Sequence, residues 1–375
     1  MKKATLFILL IFPFILLSQS TNNSKKILMV VSSYGKDLGE TRPGYEFDEF
    51  TQAYLIFRQH KLDIDVASPK GGKVEADQFN EEKAYNQAVL QDQKILDVLG
   101  ATMATSEVNP SHYDAIYVVG GKGAMFDLPY DPSLQDIILD LYRREGTVIS
   151  SVCHGPAAFA NVKDGDHFIV KDMEITGFCN LEEELFGKKW VQEFPFKLED
   201  KLKSRGAVFN QADFMLSNVS VSGKFITGQN PFSTTRSAEE VVKALGIEPM
   251  DRTLYKDEKS IYLIQDVLDH TKSITWVEQE LAQNTESYDI PLIAVWGYYK
   301  ILASNENQKQ LMKGIEMVEL TSPYFFNENL QIVLAETYGT LGKKQEAESI
   351  LEDLIAKDLL KERAKTLLNE LKEGQ

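Results

Sequence analysis

Only two cysteines, Cys153 and Cys179, and five histidines occur in the 375 residues. A fold stapled by many disulfides is therefore excluded. The five scattered histidines and two distant cysteines also offer no metal-ligand spacing. Positive charge is scarce, with 40 Lys and Arg against 56 Asp and Glu and a formal charge of −16. That balance gives nucleic-acid binding no electrostatic support. No low-complexity segment occurs. What remains, 43% hydrophobic and 26% charged residues, is the composition of an ordinary globular protein. At this length two or three domains are expected.

Residues 1–20 read as a signal peptide. Lys2 and Lys3 form a charged start, the run 6–17 is apolar except for Pro13, and Ser18-Gln19-Ser20 supplies small residues where a signal peptidase reads. The apolar run falls short of the roughly 20 residues of a spanning helix. No cysteine follows it, which excludes a lipid-anchored bacterial form. The expected location is outside the cytoplasm, periplasmic or secreted. There, two cysteines invite a disulfide, although a Cys153–Cys179 bond would consume the residue argued below to carry the chemistry.

From residue 26 onward the chain alternates. Lys26-Ile27-Leu28-Met29-Val30-Val31 is a buried strand, 45–60 has helical spacing, and Leu62-Asp63-Ile64-Asp65-Val66-Ala67-Ser68 is a second strand. Helical sequence follows over 81–99, a third strand over 113–119, and a helix near 133–144. Beyond the central strand at 147–152, the span 168–176 is strand-like and 180–186 forms a short helix with Asn180 as its cap. Strand pieces at 219–221 and 225–227 precede a helix over 234–245. Strands alternating with helices predict a flavodoxin-like α/β fold over 26–248, a parallel sheet sandwiched by helices. Over 250–375 the strand signals vanish. Leu334, Ala335, Tyr338, Ala347 and Leu351 fall at the offsets of a tetratricopeptide repeat, and Trp296, Tyr299, Gly314 and Val318 suggest a degenerate neighbour. An all-α helical-repeat domain is expected, with a capacity to bind a protein partner.

The stretch that organises the chain is Thr147-Val148-Ile149-Ser150-Ser151-Val152-Cys153-His154-Gly155-Pro156. A β-branched run changes character at Cys153, where Gly155 tolerates a tight turn and Pro156 suits the first turn of a helix. This is the pattern of a nucleophile elbow carrying a thiol. A thiol at a helix start beside an imidazole is expected to ionise well below its free pKa of about 8.5. In parallel sheets ligands sit at the carboxyl ends of strands, so Gly120-Gly121-Lys122-Gly123, after the third strand, should meet Cys153. Lacking the spacing of a phosphate loop, this segment instead suits backbone donation to an oxyanion, together with the His154 N–H. Glu49 lies beside the apolar stripe of its helix, where a carboxyl group would have a raised pKa. Next to Glu46 and Asp48 it also fits an ordinary surface glutamate. Any one of Glu182, Glu183 and Glu184 could orient His154, and the residues alone do not choose among them.

With Cys153-His154-Gly155-Pro156 preceded by Gly120-Gly121 and Ser68-Pro69-Lys70-Gly71-Gly72, the chain resembles the ThiJ/PfpI superfamily, a class I glutamine-amidotransferase-like fold. Within it the sequence looks most like the heat-inducible chaperone and glyoxalase III branch. The resemblance covers 26–248 and places the family's acidic residue at Glu49 and its triad acid at Glu183. It implies cofactor-free, glutathione-independent conversion of methylglyoxal or glyoxal to lactate or glycolate. Chaperone or deglycase activity and a homodimer are associated expectations. In the implied mechanism Cys153 adds to the aldehyde, Gly121 and His154 hold the adduct, Glu49 and His154 move a proton through an enediol, and Glu183 orients His154. Lys122 departs from the histidine common in the family and changes pocket polarity. Two other readings share the same residues: a Cys-dependent amidase or peptidase, and a non-catalytic holdase acting through its helices.

Overall fold

The computed structural model describes residues 24–304 and 307–373, so the signal-peptide expectation at 1–20 lies outside the described residues. The first half of the chain lays down β1 (Lys26–Val30), α1 (Phe47–Gln59), β2 (Asp63–Ser68), α2 (Ala84–Leu90), α3 (Gln93–Gly100), β3 (Met103–Ala104), β4 (Ala115–Val118), α4 (Pro132–Arg143) and β5 (Val148–Val152). Short ladders come next, β6 (Lys163–Asp164) with β7 (His167–Phe168) and β8 (Glu174–Ile175) with β9 (Val208–Phe209). Between them run α5 (Asn180–Phe186) and α6 (Leu198–Ser204), and the domain closes with β10 (Val219–Ser222), β11 (Phe225–Gly228) and α7 (Thr234–Ala244).

Seven strands form one sheet in the order β10-β11-β5-β4-β1-β2-β3. All neighbours are parallel except the β10–β11 hairpin. Strand order reverses beside β1, so the carboxyl ends of β1, β4 and β5 open into one crevice. These strands are apolar on both faces because helices cover both: Ile27 to Val30 and Ala115 to Val118 have no exposed surface. Helix α1 packs against α2 and α7 as well as near β2. That wrapping explains why the side of α1 beside its aromatic stripe is buried too, Glu49 included.

The structure departs from the sequence reading in local ways. The expected helix over 81–99 is two helices, because Asp92 leaves helical geometry and its side chain accepts the Lys94 N–H to start α3. The span 168–176 is strand only at its ends. The cap of α5 is Cys179, not Asn180: Glu182 reaches back to accept the Cys179 N–H at 3.0 Å. Strand β3 is additional to the expected elements, since two residues leave no periodic pattern.

The remaining chain is helical: α8 (Lys256–Leu268), α9 (Ile274–Asn284), α10 (Ile290–Leu302), α11 (Gln308–Thr321), α12 (Glu328–Thr340), α13 (Lys344–Ala356) and α14 (Lys361–Glu373). Its first core joins Ile261, Ile264, Trp296 and Met317 to Phe214 and Leu216 of the preceding domain. Polar contacts reinforce the joint. Tyr85 donates to Asp257 at 2.6 Å, and Arg252 bridges Glu239 of α7 and Glu258 of α8. Among the described residues no helix is long and apolar enough to cross a membrane.

Candidate active site

Strand β5 ends at Val152, and the next residue, Cys153, takes φ 59°. A non-glycine residue in this left-handed region is strained. The strain is fixed from both sides, by the Cys153 N–H donating to the Gly228 carbonyl at 2.9 Å and the Phe178 N–H donating to the Cys153 carbonyl at 2.9 Å. The elbow therefore exists, but it leads into a five-residue 3₁₀ turn, Gly155–Phe159, and not an α-helix.

His154 sits between the thiol and a carboxyl group. Its Nδ1 lies 3.3 Å from Cys153 Sγ and its Nε2 lies 2.8 Å from Glu183 Oε1. With Nε2–H donated to Glu183, Nδ1 faces the sulfur as the acceptor. The three successive glutamates are now distinguished. Glu184 is exposed, whereas Glu182 accepts from the backbone of Cys179 and Met215 and from the side chains of Gln229 and Asn230. Only Glu183 turns toward His154. Rings of Phe178 and Phe194 pack on the imidazole at 4.7 and 5.7 Å, and Phe194 continues through Phe126 to Tyr34.

Glu49 lies beside the same sulfur. It is fully buried, its Oε2 accepts the Gly120 N–H at 2.7 Å, and its carboxyl group is near enough to the Cys153 thiol to act on its charge. Gly120 is a close-approach position, because a Cβ there would stand 2.7 Å from both Cys153 Cβ and Glu49 Oε2. Its N–H is committed to Glu49, which corrects the expectation that Gly120 donates to an oxyanion. Gly121, at φ 92°, directs its N–H at the sulfur instead. Of the expected donors, Gly121 and His154 remain.

The electrostatics also correct the expected easy ionisation of the thiol. Burial, then the neighbouring Glu49 carboxyl, hold the Cys153 thiol well above the ordinary range, against the opposing Gly121 N–H. Burial and the charge of Glu46 likewise push Glu49 well up. A 3₁₀ turn contributes too little dipole to outweigh a carboxyl group at contact distance. Thiol and carboxyl group each oppose the other's ionisation, so the two titrate as one pair.

Glu46 is a member of the site that sequence reasoning misses. Burial and nearby Asp48 push its carboxyl up to about 7, with Lys122 opposing. Its signal is its place at the N-terminal cap of α1, three residues before Glu49. Cys153 and Cys179 are both free thiols, so the disulfide alternative is not realised. Among the described residues no group of three or more His, Cys, Asp or Glu is placed to hold a metal.

Residues 25–244 match the DJ-1/PfpI family, more than half of the chain. The chain belongs to that family. Its DJ-1/PfpI domain is similar to Glyoxalase 3 of Candida albicans, at 29% identity over 58% of this chain and 98% of the relative. It is also similar to glutathione-independent glyoxalase HSP31 of Saccharomyces cerevisiae, at 26% identity over 59% and 98%. Among solved structures, the Rapid Encystment Protein of Francisella tularensis shares 34% identity with a TM-score of 0.56, covering 59% of this chain and 99% of its own. Candida albicans glyoxalase III shares 25% with a TM-score of 0.54, over 59% and 97%. These relatives are spanned almost completely by this chain, and they account for well under two thirds of it.

Proposed function

We propose that this DJ-1/PfpI member is a glutathione-independent glyoxalase, converting methylglyoxal to lactate, or glyoxal to glycolate, with no cofactor. The observation that carries the reading is a second, fully buried carboxyl group, Glu49, fixed by the Gly120 N–H beside the thiol and separate from the His154–Glu183 pair. Hydrolysis of an amide can proceed with thiol, imidazole and orienting acid. A hydrogen shift between adjacent carbons needs one further group that gives and takes a proton beside the sulfur, and Glu49 is that group.

Cys153 sulfur attacks the aldehyde carbon as the proton shared with Glu49 passes to the aldehyde oxygen, leaving a hemithioacetal and a carboxylate. The N–H groups of Gly121 and His154 stabilise the oxygen as charge develops. Glu49 then removes the proton from the former aldehyde carbon and returns it to the adjacent carbon through an enediol, while His154 carries the hydroxyl proton from the first oxygen to the second. The product is a thioester of the 2-hydroxy acid. Water adds to it with His154 accepting a proton, the carbon–sulfur bond breaks, and the sulfur and Glu49 regain their proton. The sum is dicarbonyl plus water giving hydroxy acid, with no oxidant or reductant. Glu183 keeps His154 in the tautomer that faces the sulfur.

The helices α10 with α11 and α12 with α13 we read as tetratricopeptide-like hairpins. Support comes from paired helices on short turns and from Gly297 and Gly314, where a Cβ on either would come within 2.7 Å of the other's carbonyl oxygen. Lys2, Lys3 and the apolar run 6–17 support export. The test is incubation of the purified chain with methylglyoxal and no glutathione, scoring lactate. Lactate formation that Cys153→Ala abolishes is the expected outcome. Absence of lactate alongside turnover of amide substrates would move the assignment to the amidase reading.

A further inference from the structure

Helix α5 has two loaded faces. Inward, Glu183 reaches His154; outward, Leu181, Leu185 and Phe186 pack on the core formed by Ile261, Ile264 and Trp296. The outward contacts are specific. The Tyr299 ring meets Phe186 edge-on at 4.6 Å. The Trp296 ring stacks on Phe214 at 5.2 Å, and its indole N–H donates to the Phe214 carbonyl at 3.0 Å. Lys300 pairs with Asp213 in the same segment. Met215, which follows Phe214, donates its N–H to Glu182 at 2.8 Å, which ties this segment to the residue beside Glu183. Glu183 itself has no second anchor: its Oε2 is buried without a hydrogen-bond partner. Its place is therefore set by where α5 lies. The family match ends at residue 244, before the first of these helices begins at Lys256.

We infer that Trp296 and Tyr299 are positioning residues for Glu183, so that the helical region is the outer half of the support for the catalytic acid. The inference rests on the reading that Glu183 orients His154, and it extends that reading to a part of the chain beyond the family match. Rigid support of this kind matters because hydrogen-bond geometry at a buried acid degrades within fractions of an ångström.

The test uses the full chain and reads the sulfur directly, by the rate of Cys153 alkylation with iodoacetamide across pH, resolved by peptide mass from Cys179. Trp296→Phe keeps the ring and removes the indole N–H, and Tyr299→Leu removes the edge contact at Phe186. Each is expected to slow alkylation at neutral pH about fivefold, the worth of one hydrogen bond, and to shift the pH profile in the same sense as Glu183→Gln. In a Glu183→Gln background neither should cost anything further. Leu351→Ala, in the separate core near α13 and α14, should leave the profile unchanged. Wild-type profiles for both positioning variants, full additivity with Glu183→Gln, or an equal shift from Leu351→Ala would overturn the inference. Should Trp296→Phe not fold, Tyr299→Leu decides alone. Failure of the glyoxalase reading is separate, since it shows as missing lactate with the alkylation pattern intact. Failure of the Glu183 reading shows as Glu183→Gln matching wild type.

Discussion

The candidate active site and the joint with the helical region treat buried ionisable groups in opposite ways. In the helical region, buried Asp257, Glu258 and Lys300 each have an ionic or hydrogen-bond partner. At the carboxyl ends of β4 and β5, buried Glu49 and Glu183 each keep one oxygen unpartnered. Buried orphan atoms are costly, and here one belongs to the carboxyl group beside the thiol and the other to the acid that holds its imidazole. The joint commits its ionisable side chains to cohesion, and the site leaves one oxygen of each of two acids without a protein partner. Stability and reactivity are thus separable by residue, and substitution should separate them.

The largest expected effect is on turnover. Cys153→Ala should lower the rate of lactate formation by about 10⁴-fold or more, as loss of a nucleophile does, with the melting temperature little changed. Glu49→Gln comes next, with an expected loss of about 10³-fold in kcat. Its diagnostic value is greater, because an amidase would retain much of its activity. Glu182→Ala tests the adjacent position. It should cost about 3 kcal/mol of stability in chemical denaturation, since four donors lose their acceptor, while Glu183→Gln spares stability and lowers turnover. Equal behaviour of the two glutamates would break the comparison.

The smallest effect concerns pH. Burial raises Glu46 from 4.5 to about 7 and Asp127 from 3.8 to about 6. Both groups bind a proton more tightly folded than unfolded. Their contribution is full below about pH 4 and lost as pH rises through 6 and 7. Glu46→Gln should flatten that part of the pH dependence of the melting temperature. A slope unchanged by the substitution would remove Glu46 from the set of buried carboxyl groups.

The elbow is legible in the sequence because strand composition, Gly155 and Pro156 report local geometry, and local geometry is what sequence encodes most directly. The meeting of Gly120 with Cys153 is legible from the parallel-sheet rule. The choice among Glu182, Glu183 and Glu184 is not, since successive helical positions differ by about 100° in direction and the orientation of α5 is a tertiary fact. Family resemblance points to Glu183 independently of that geometry. The thiol's electrostatics escape the sequence because Gly155 and Pro156 suit an α-helix as well as a 3₁₀ turn, and nothing local reports that Glu49 is wholly enclosed. The contribution of Trp296 is hidden for a related reason: it acts through Phe214, 82 positions away.

Cys153 is only 4% exposed, and the imidazole beside it is roofed by Phe178 and Phe194. So enclosed a sulfur favours reactants of small cross-section: on the glyoxalase reading a two- or three-carbon aldehyde meets that demand, whereas a sugar adduct still attached to a folded polypeptide would first have to displace the aromatic rings.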